Sequence, residues 1–216
     1  VLTPEQLRAY EDMKTMALAL FEQGMTTTVN ALTQLMRLHQ ITCGHTKLDD
    51  GTEINIPTNR VAEMMSVVEE TSGKVIIWAG YRHDIESIKL ALQKEYGMAA
   101  VGTYYGDTDD EERRRVVREF QDMDSELRFF VGNPRTGGYG LTLTAADTVV
   151  YFSNSFDLEV RLQSEDRAHR IGQTKSVTYV DLFVPGTIDE KIVKALRAKI
   201  DIANEVLGEE MKNWLI

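Results

Sequence analysis

Cysteine occurs once, at Cys43, so no disulfide can form within the chain, and a reducing cytoplasmic setting is expected. No apolar run approaches the length of a membrane span, and the opening Val1-Leu2-Thr3-Pro4-Glu5 does not read as a signal peptide, so no membrane partner is expected. Basic residues are in the minority. Lys+Arg 24 against Asp+Glu 34 leave a net charge of −10, which disfavours a wide basic surface and admits only a narrow phosphate track of few contacts. The phosphate cradle Gly-x-x-x-x-Gly-Lys-Ser/Thr is missing: at the one Gly-Lys pair, Gly73-Lys74, Val68 stands where the first glycine belongs and Val75 where the hydroxyl belongs. Asp189-Glu190 opens a helix after Pro185-Gly186 instead of ending an apolar strand, so it is not a metal-binding acidic pair. These absences exclude a complete ATP site, and no metal site is expected. There is no Gly-x-Ser-x-Gly elbow, no internal repeat and no low-complexity tract.

What is present reads as a globular chain of 216 residues, enough for one domain with appendages. Residues 1–57 form a helical lead-in and then an irregular segment. Ala31, Leu32, Leu35 and Leu38 mark an amphipathic helix, and Asp50-Gly51 within Lys47 to Ile54 signals a short hairpin. Over 58–186 helix and strand alternate. Val75-Ile76-Ile77-Trp78 is a continuous apolar run suited to a buried parallel strand, and further strands are expected over 100–105, 128–131, 148–152 and 177–183. Thr108-Asp109-Asp110-Glu111 reads as a capping box opening a helix that buries Val116, Val117 and Phe120. The remainder, 187–216, is a helix with Ile188, Ile192, Leu196, Ile200, Ala203 and Leu207 on one face. The alternation predicts an α/β fold with an open, mostly parallel sheet flanked by helices, and ligands beyond the strands' carboxyl ends.

Three stretches carry candidate chemistry. Leu158 to His169 contains no Gly or Pro and reads as a helix that Gly172 ends; Gln163, Arg167 and Arg170, at i, i+4 and i+7, then share one face. Two guanidiniums side by side suit a shared polyanion, while a solvated face with Asp166 and Arg170 paired fits the spacing equally well. Gly137, Gly138 and Gly140 follow a strand and let backbone N–H groups approach a phosphate, although most such loops are only turns. His39, Cys43 and His45 invite a zinc reading, but a structural site needs a fourth ligand that is not evident, leaving a buried thiol with ordinary histidines. The five carboxylates from Asp107 to Glu112 are explained by a helix N-terminus.

Gln163-x-x-Asp166-Arg167-x-His169-Arg170-Ile171-Gly172-Gln173 closely resembles the last signature motif of Swi/Snf-type ATPases, in helicase superfamily two. Gly132 to Asp147 resembles the motif that precedes it, with Thr142 where the family often has Asn. Lys74 to Arg82, Tyr104-Tyr105-Gly106 and Gln34 to Cys43 are similar to further family segments, in order, so the resemblance covers about Leu32 to Lys199. It implies the RecA-like C-terminal lobe of a DNA-dependent ATPase, with the C-terminal helix as a brace. It further implies arginine fingers at Arg167 and Arg170, a nucleotide-facing set of Gly138, Gly140, Leu141 and Gln163, and double-stranded DNA contacts from Tyr81, Arg82, Arg135, Thr136 and Gly137. An N-terminal P-loop ATPase lobe would supply the rest of the site. ATP and Mg²⁺ would bind only in that two-lobe protein, neither being held by this chain alone, which is expected to be inactive by itself. The arginine stripe is expected to face a cleft and not the core, and a cytoplasmic protein of bacterial or phage origin is expected. Two other readings stay open: a stand-alone nucleic-acid or protein binding module without ATPase activity, and an unrelated phosphate-binding α/β enzyme using the Gly137–Gly140 loop.

Overall fold

The computed structural model describes residues 1–23, 28–48, 50–136, 141–169, 176–199 and Trp214. Gly137, Gly138, Gly140 and Arg170 therefore lie outside the described residues, as do Ile200, Ala203 and Leu207 of the expected C-terminal stripe. In chain order the elements are α1 (Pro4–Glu22), α2 (Thr28–Cys43), β1 (His45–Lys47), β2 (Glu53–Asn55), α3 (Arg60–Glu69) and β3 (Lys74–Trp78). There follow α4 (Arg82–Tyr96), β4 (Val101–Tyr104), α5 (Asp110–Gln121), β5 (Phe129–Gly132), β6 (Ala146–Tyr151), α6 (Leu158–Ala168), β7 (Thr178–Asp181) and α7 (Ile188–Arg197). The chain divides into two compact units, one of Val1–Arg60, Phe156–Leu158 and Phe183–Ile216, the other of Val61–Ser155 and Glu159–Leu182.

The second unit is built on a five-stranded parallel sheet in the order β4-β5-β3-β6-β7. The expected open parallel sheet is thus observed. β3 is central and buried on both faces, which is why its sequence is apolar throughout instead of alternating. Val75, Ile77 and Ala79 join Met64, Val68, Ile85, Ile88 and Leu92 of α3 and α4 in one core layer. Ile76 and Trp78 point the other way, to Val116 and Phe120 of α5, Phe130, and Ala168 of α6. Lys74 begins the strand and is buried, and its ammonium donates to the carbonyls of Glu119 (3.1 Å), Asp122 (2.6 Å) and Leu127 (2.8 Å). This lysine beside Gly73 therefore caps the carboxyl end of α5, where the helix dipole favours a cation. Burial pulls its ionisation downward.

One expected detail moves by a residue. Asp109, and not Thr108, is the N-cap of α5, its carboxylate accepting from the N–H groups of Glu111 (3.0 Å) and Glu112 (2.9 Å). Thr108 Oγ instead accepts from Tyr105 N at 3.2 Å. A carboxylate at the first turn also meets the positive end of the helix dipole, which a hydroxyl does not.

In the first unit α1, α2 and α7 share one core of Tyr10, Ala17, Ala31, Leu35, Leu38 and Ile41 with Ile188, Ile192, Ala195 and Leu196. The segments distinguished in the sequence as lead-in and brace helix thus fall within one unit. The expected hairpin forms as the antiparallel pair β1–β2, with His45 opposite Asn55. Gly44 before it has φ +98°, and a Cβ there would lie 2.4 Å from Thr58 Cγ2, so both conformation and space require glycine.

Asp189, at the start of α7, is wholly buried. Its carboxylate takes Arg60 Nη1 at 2.6 Å and Val184 N at 3.0 Å, with His39 Nε2 3.4 Å away. Burial alone would raise its pKa; the Arg60 charge and the His39 contact overcome that and hold it at about 2. His39 also meets Phe156 edge-on at 5.6 Å between ring centres, while Cys43 is buried.

Candidate nucleic-acid interface

In an open parallel sheet the loops at the carboxyl edge face ligands, and here the loops after β3, β4, β5 and β6 are tied to one another. The chain leaves β3 through Ala79 and Gly80 into Tyr81, which is the N-cap residue of α4. Gly80 N donates to Ser153 Oγ at 2.8 Å, and Ser153 Oγ donates to Asp84 Oδ2 at 2.8 Å; Ser153 and Asp84 are both buried. Gly80 O accepts from Asn133 Nδ2 at 3.0 Å. Asn133 Oδ1 accepts from Arg135 N at 2.8 Å, an Asx-turn at the exit of β5, and Asn133 N donates to Tyr104 O at 3.0 Å. Gly132 precedes it because a Cβ there would sit 2.7 Å from Tyr104 O.

Of the residues expected at a nucleic acid, Tyr81, Arg82, Arg135 and Thr136 lie at this edge, and Gly137 lies outside the described residues. Arg82 stands at the N-terminus of α4 with 69% of its side chain exposed, and pairs with Asp107. Arg135 is exposed, and its Nη2 donates to Ser155 Oγ at 3.2 Å. Thr136 is half-buried, with its N–H donating to Asn133 O at 3.1 Å. The positive end of α4 and the two guanidiniums favour anions at this rim.

The expected nucleotide-facing residues are differently placed. Gln163 is half-buried on α6 and donates to Glu159 Oε1 at 2.8 Å. Arg167 is only 6% exposed, its guanidinium 5.2 Å from the Trp78 ring centre. Leu141 packs against the same core layer as Trp78, and Leu143 N donates to Arg167 O at 2.9 Å, so the segment after the glycines is joined to the end of α6. The stripe is therefore not uniformly turned to a cleft. Arg167 lies over an indole supplied by the central strand, where a cation–π contact offsets part of its desolvation. That burial lowers the guanidinium's proton affinity, and an arginine stays charged nonetheless.

Sequence reasoning missed Arg161, which is buried beside Arg167's helix turn. Its Nε donates to Glu165 Oε1 (2.6 Å) and its Nη1 to Asn154 Oδ1 (2.7 Å); it pairs with Asp181 and lies 3.5 Å over the Tyr151 ring. Only the Arg161–Glu165 spacing of four could have signalled it. Asn133, Ser153 and Asp84 were missed as well; the Asn-Pro pair after a strand was the one available turn signal.

Comparison with known proteins bears on family and fold. The profile of a family described as the helicase conserved C-terminal domain matches residues 58–172. The chain is 39% identical to the chromatin-remodeling ATPase INO80 of Homo sapiens over 122 residues, 55% of this chain and 8% of that protein. It is 30% identical to the putative ATP-dependent helicase/translocase YwqA of Bacillus subtilis (strain 168) over 199 residues, 89% of this chain and 21% of that protein. The solved Sulfolobus solfataricus SWI2/SNF2 ATPase core in complex with dsDNA superposes with a TM-score of 0.77 at 25% identity, over 100% of this chain and 48% of that one. The chain thus spans a small part of these two sequence relatives and about half of the solved core. Among the described residues no helix is long and apolar enough to cross a membrane.

Proposed function

Because the chain belongs to the helicase conserved C-terminal domain family, as a Swi/Snf-type lobe with a RecA-like fold, we propose that it is the second motor lobe of an ATP-dependent double-stranded DNA translocase. In this reading a first lobe holds ATP and Mg²⁺ through its P-loop, and this lobe, lacking a phosphate cradle, turns over no ATP alone. Arg167 and Arg170 approach the transferring phosphoryl group and neutralise the charge that redistributes there. Gly138, Gly140, Leu141 and Gln163 complete the nucleotide-facing wall. Tyr81, Arg82, Arg135, Thr136 and Gly137 follow the DNA backbone, and repeated closure of the lobes moves that track along the duplex.

The observation that carries the reading is the interlocked carboxyl edge, which sets Arg82 and Arg135 on loops joined through Gly80 and Asn133. Phosphate contacts release counterions, so DNA affinity is expected to be insensitive to sequence and steep in salt. Arg135→Ala should weaken duplex binding by the full-length protein and flatten the salt slope by about one. Unchanged affinity and slope, measured by fluorescence anisotropy across a salt series, would remove Arg135 from the track.

A further inference from the structure

Asn133 stands out at this edge because both ends of one side chain are used, and used for different loops. Its carboxamide donates to Gly80 O at 3.0 Å and accepts from Arg135 N at 2.8 Å. The orientation of the amide follows from chemistry: a carbonyl oxygen can only accept and a backbone N–H can only donate, so Nδ2 must face the first and Oδ1 the second. No other side chain of that size supplies a donor and an acceptor at its two ends. Gly80 is held from its other side as well, its N–H on the hydroxyl of Ser153, which is in turn fixed by buried Asp84. Both polar groups of the Gly80 backbone are thereby committed immediately before Tyr81 and Arg82. Arg135 is fixed at its own N–H, and its side chain returns to Ser155 on the loop after β6.

We propose that Asn133 is a positioning residue for nucleic-acid binding, holding the Tyr81–Arg82 and Arg135–Thr136 segments in one fixed register so that they meet the phosphates of a single strand together. The role rests on the reading of this edge as a DNA track. Asn133 need not touch DNA for this. It removes the cost of ordering two loops at the moment of binding, which is how preorganisation raises affinity without new contacts. Ser153 acts through the same glycine from beneath, and Asp84 fixes Ser153.

A double-mutant cycle on DNA-stimulated ATP turnover by the full-length protein separates positioning from mere stability. In the wild-type background Asn133→Ala should raise the duplex concentration for half-maximal stimulation about tenfold, with a much smaller fall in the rate at saturating DNA. In an Arg135→Ala background the same change should raise it only about threefold, because one of the two segments that Asn133 holds in register has already lost its contact while the Gly80 side remains. If Asn133→Ala does not fold, Ser153→Ala, which removes one hydroxyl, is read the same way against Tyr81→Ala. Equal effects in both backgrounds, or an unchanged half-saturating concentration, would overturn the proposal. An Arg135→Ala variant that itself stimulates normally would instead refute the DNA-track reading beneath it.

Discussion

Asp189→Asn is the substitution whose cost follows most directly from the geometry. The change is isosteric and removes a charge that Arg60 Nη1 meets at 2.6 Å, with both side chains almost free of solvent. Two estimates can be made. In the folded protein the carboxyl ionises at about 2 instead of its ordinary 3.8, and at about 1.4 kcal/mol per tenfold this is about 2 kcal/mol in favour of the charged form. Removing the carboxylate also strands a buried guanidinium, and breaking a buried pair from one side typically costs about 3–5 kcal/mol. The variant should therefore lose about 2–5 kcal/mol at pH 7, read as a lower urea midpoint with an unchanged slope. The sign with pH is fixed. A depressed carboxyl stabilises the fold fully above the unfolded ionisation near 4 and loses that stabilisation as pH falls towards about 2. The wild type should weaken across that interval, and the difference between wild type and Asp189→Asn should shrink with it. A variant as stable as wild type at pH 7, or a difference that does not narrow in acid, would refute the argument that Arg60 and His39 hold this carboxylate charged.

Two further outcomes are expected. Arg167→Ala in the full-length protein should cut DNA-stimulated kcat by about 10³–10⁵ with nucleotide Kd nearly unchanged, and because the side chain is buried over Trp78 it should also lower Tm; normal kcat in a normally folded variant would reject the finger role. Lys74→Met keeps the aliphatic stem but leaves the carbonyls of Glu119, Asp122 and Leu127 without their ammonium donor, for a loss of about 3 kcal/mol in urea unfolding; an unchanged midpoint would show that the cap contributes nothing.

The sheet could be read from the sequence because its central strand is apolar at every position and sits between helices of clear periodicity. The hairpin followed from Asp50-Gly51, and α6 from the run Leu158 to His169 without Gly or Pro. Partner choice was a different matter. Asp189 is 129 residues from Arg60, Arg161 is 20 from Asp181 and Lys74 is 48 from Asp122, and no local pattern encodes such pairings. Arg167 shows the limit of periodicity. Spacing assigned it correctly to a face of α6, but not what covers that face, since Trp78 comes from another element. The carboxyl-edge residues Tyr81, Arg82, Arg135 and Thr136 were assigned through motif resemblance, whereas Asn133, though inside the Gly132 to Asp147 segment, was given no role by it, and Ser153 carries neither charge nor motif signal.

The lone thiol has a practical consequence. Cys43 is 3% exposed at the end of α2, directly before Gly44 and the hairpin. An aromatic disulfide reagent can reach its sulfur only when that corner of the first unit opens, and within these 216 residues no second cysteine competes for the label. The rate of colour development under native conditions thus reports the opening free energy of one unit without any engineered probe. Repeating the measurement with duplex present would show whether occupancy elsewhere in the chain slows that opening.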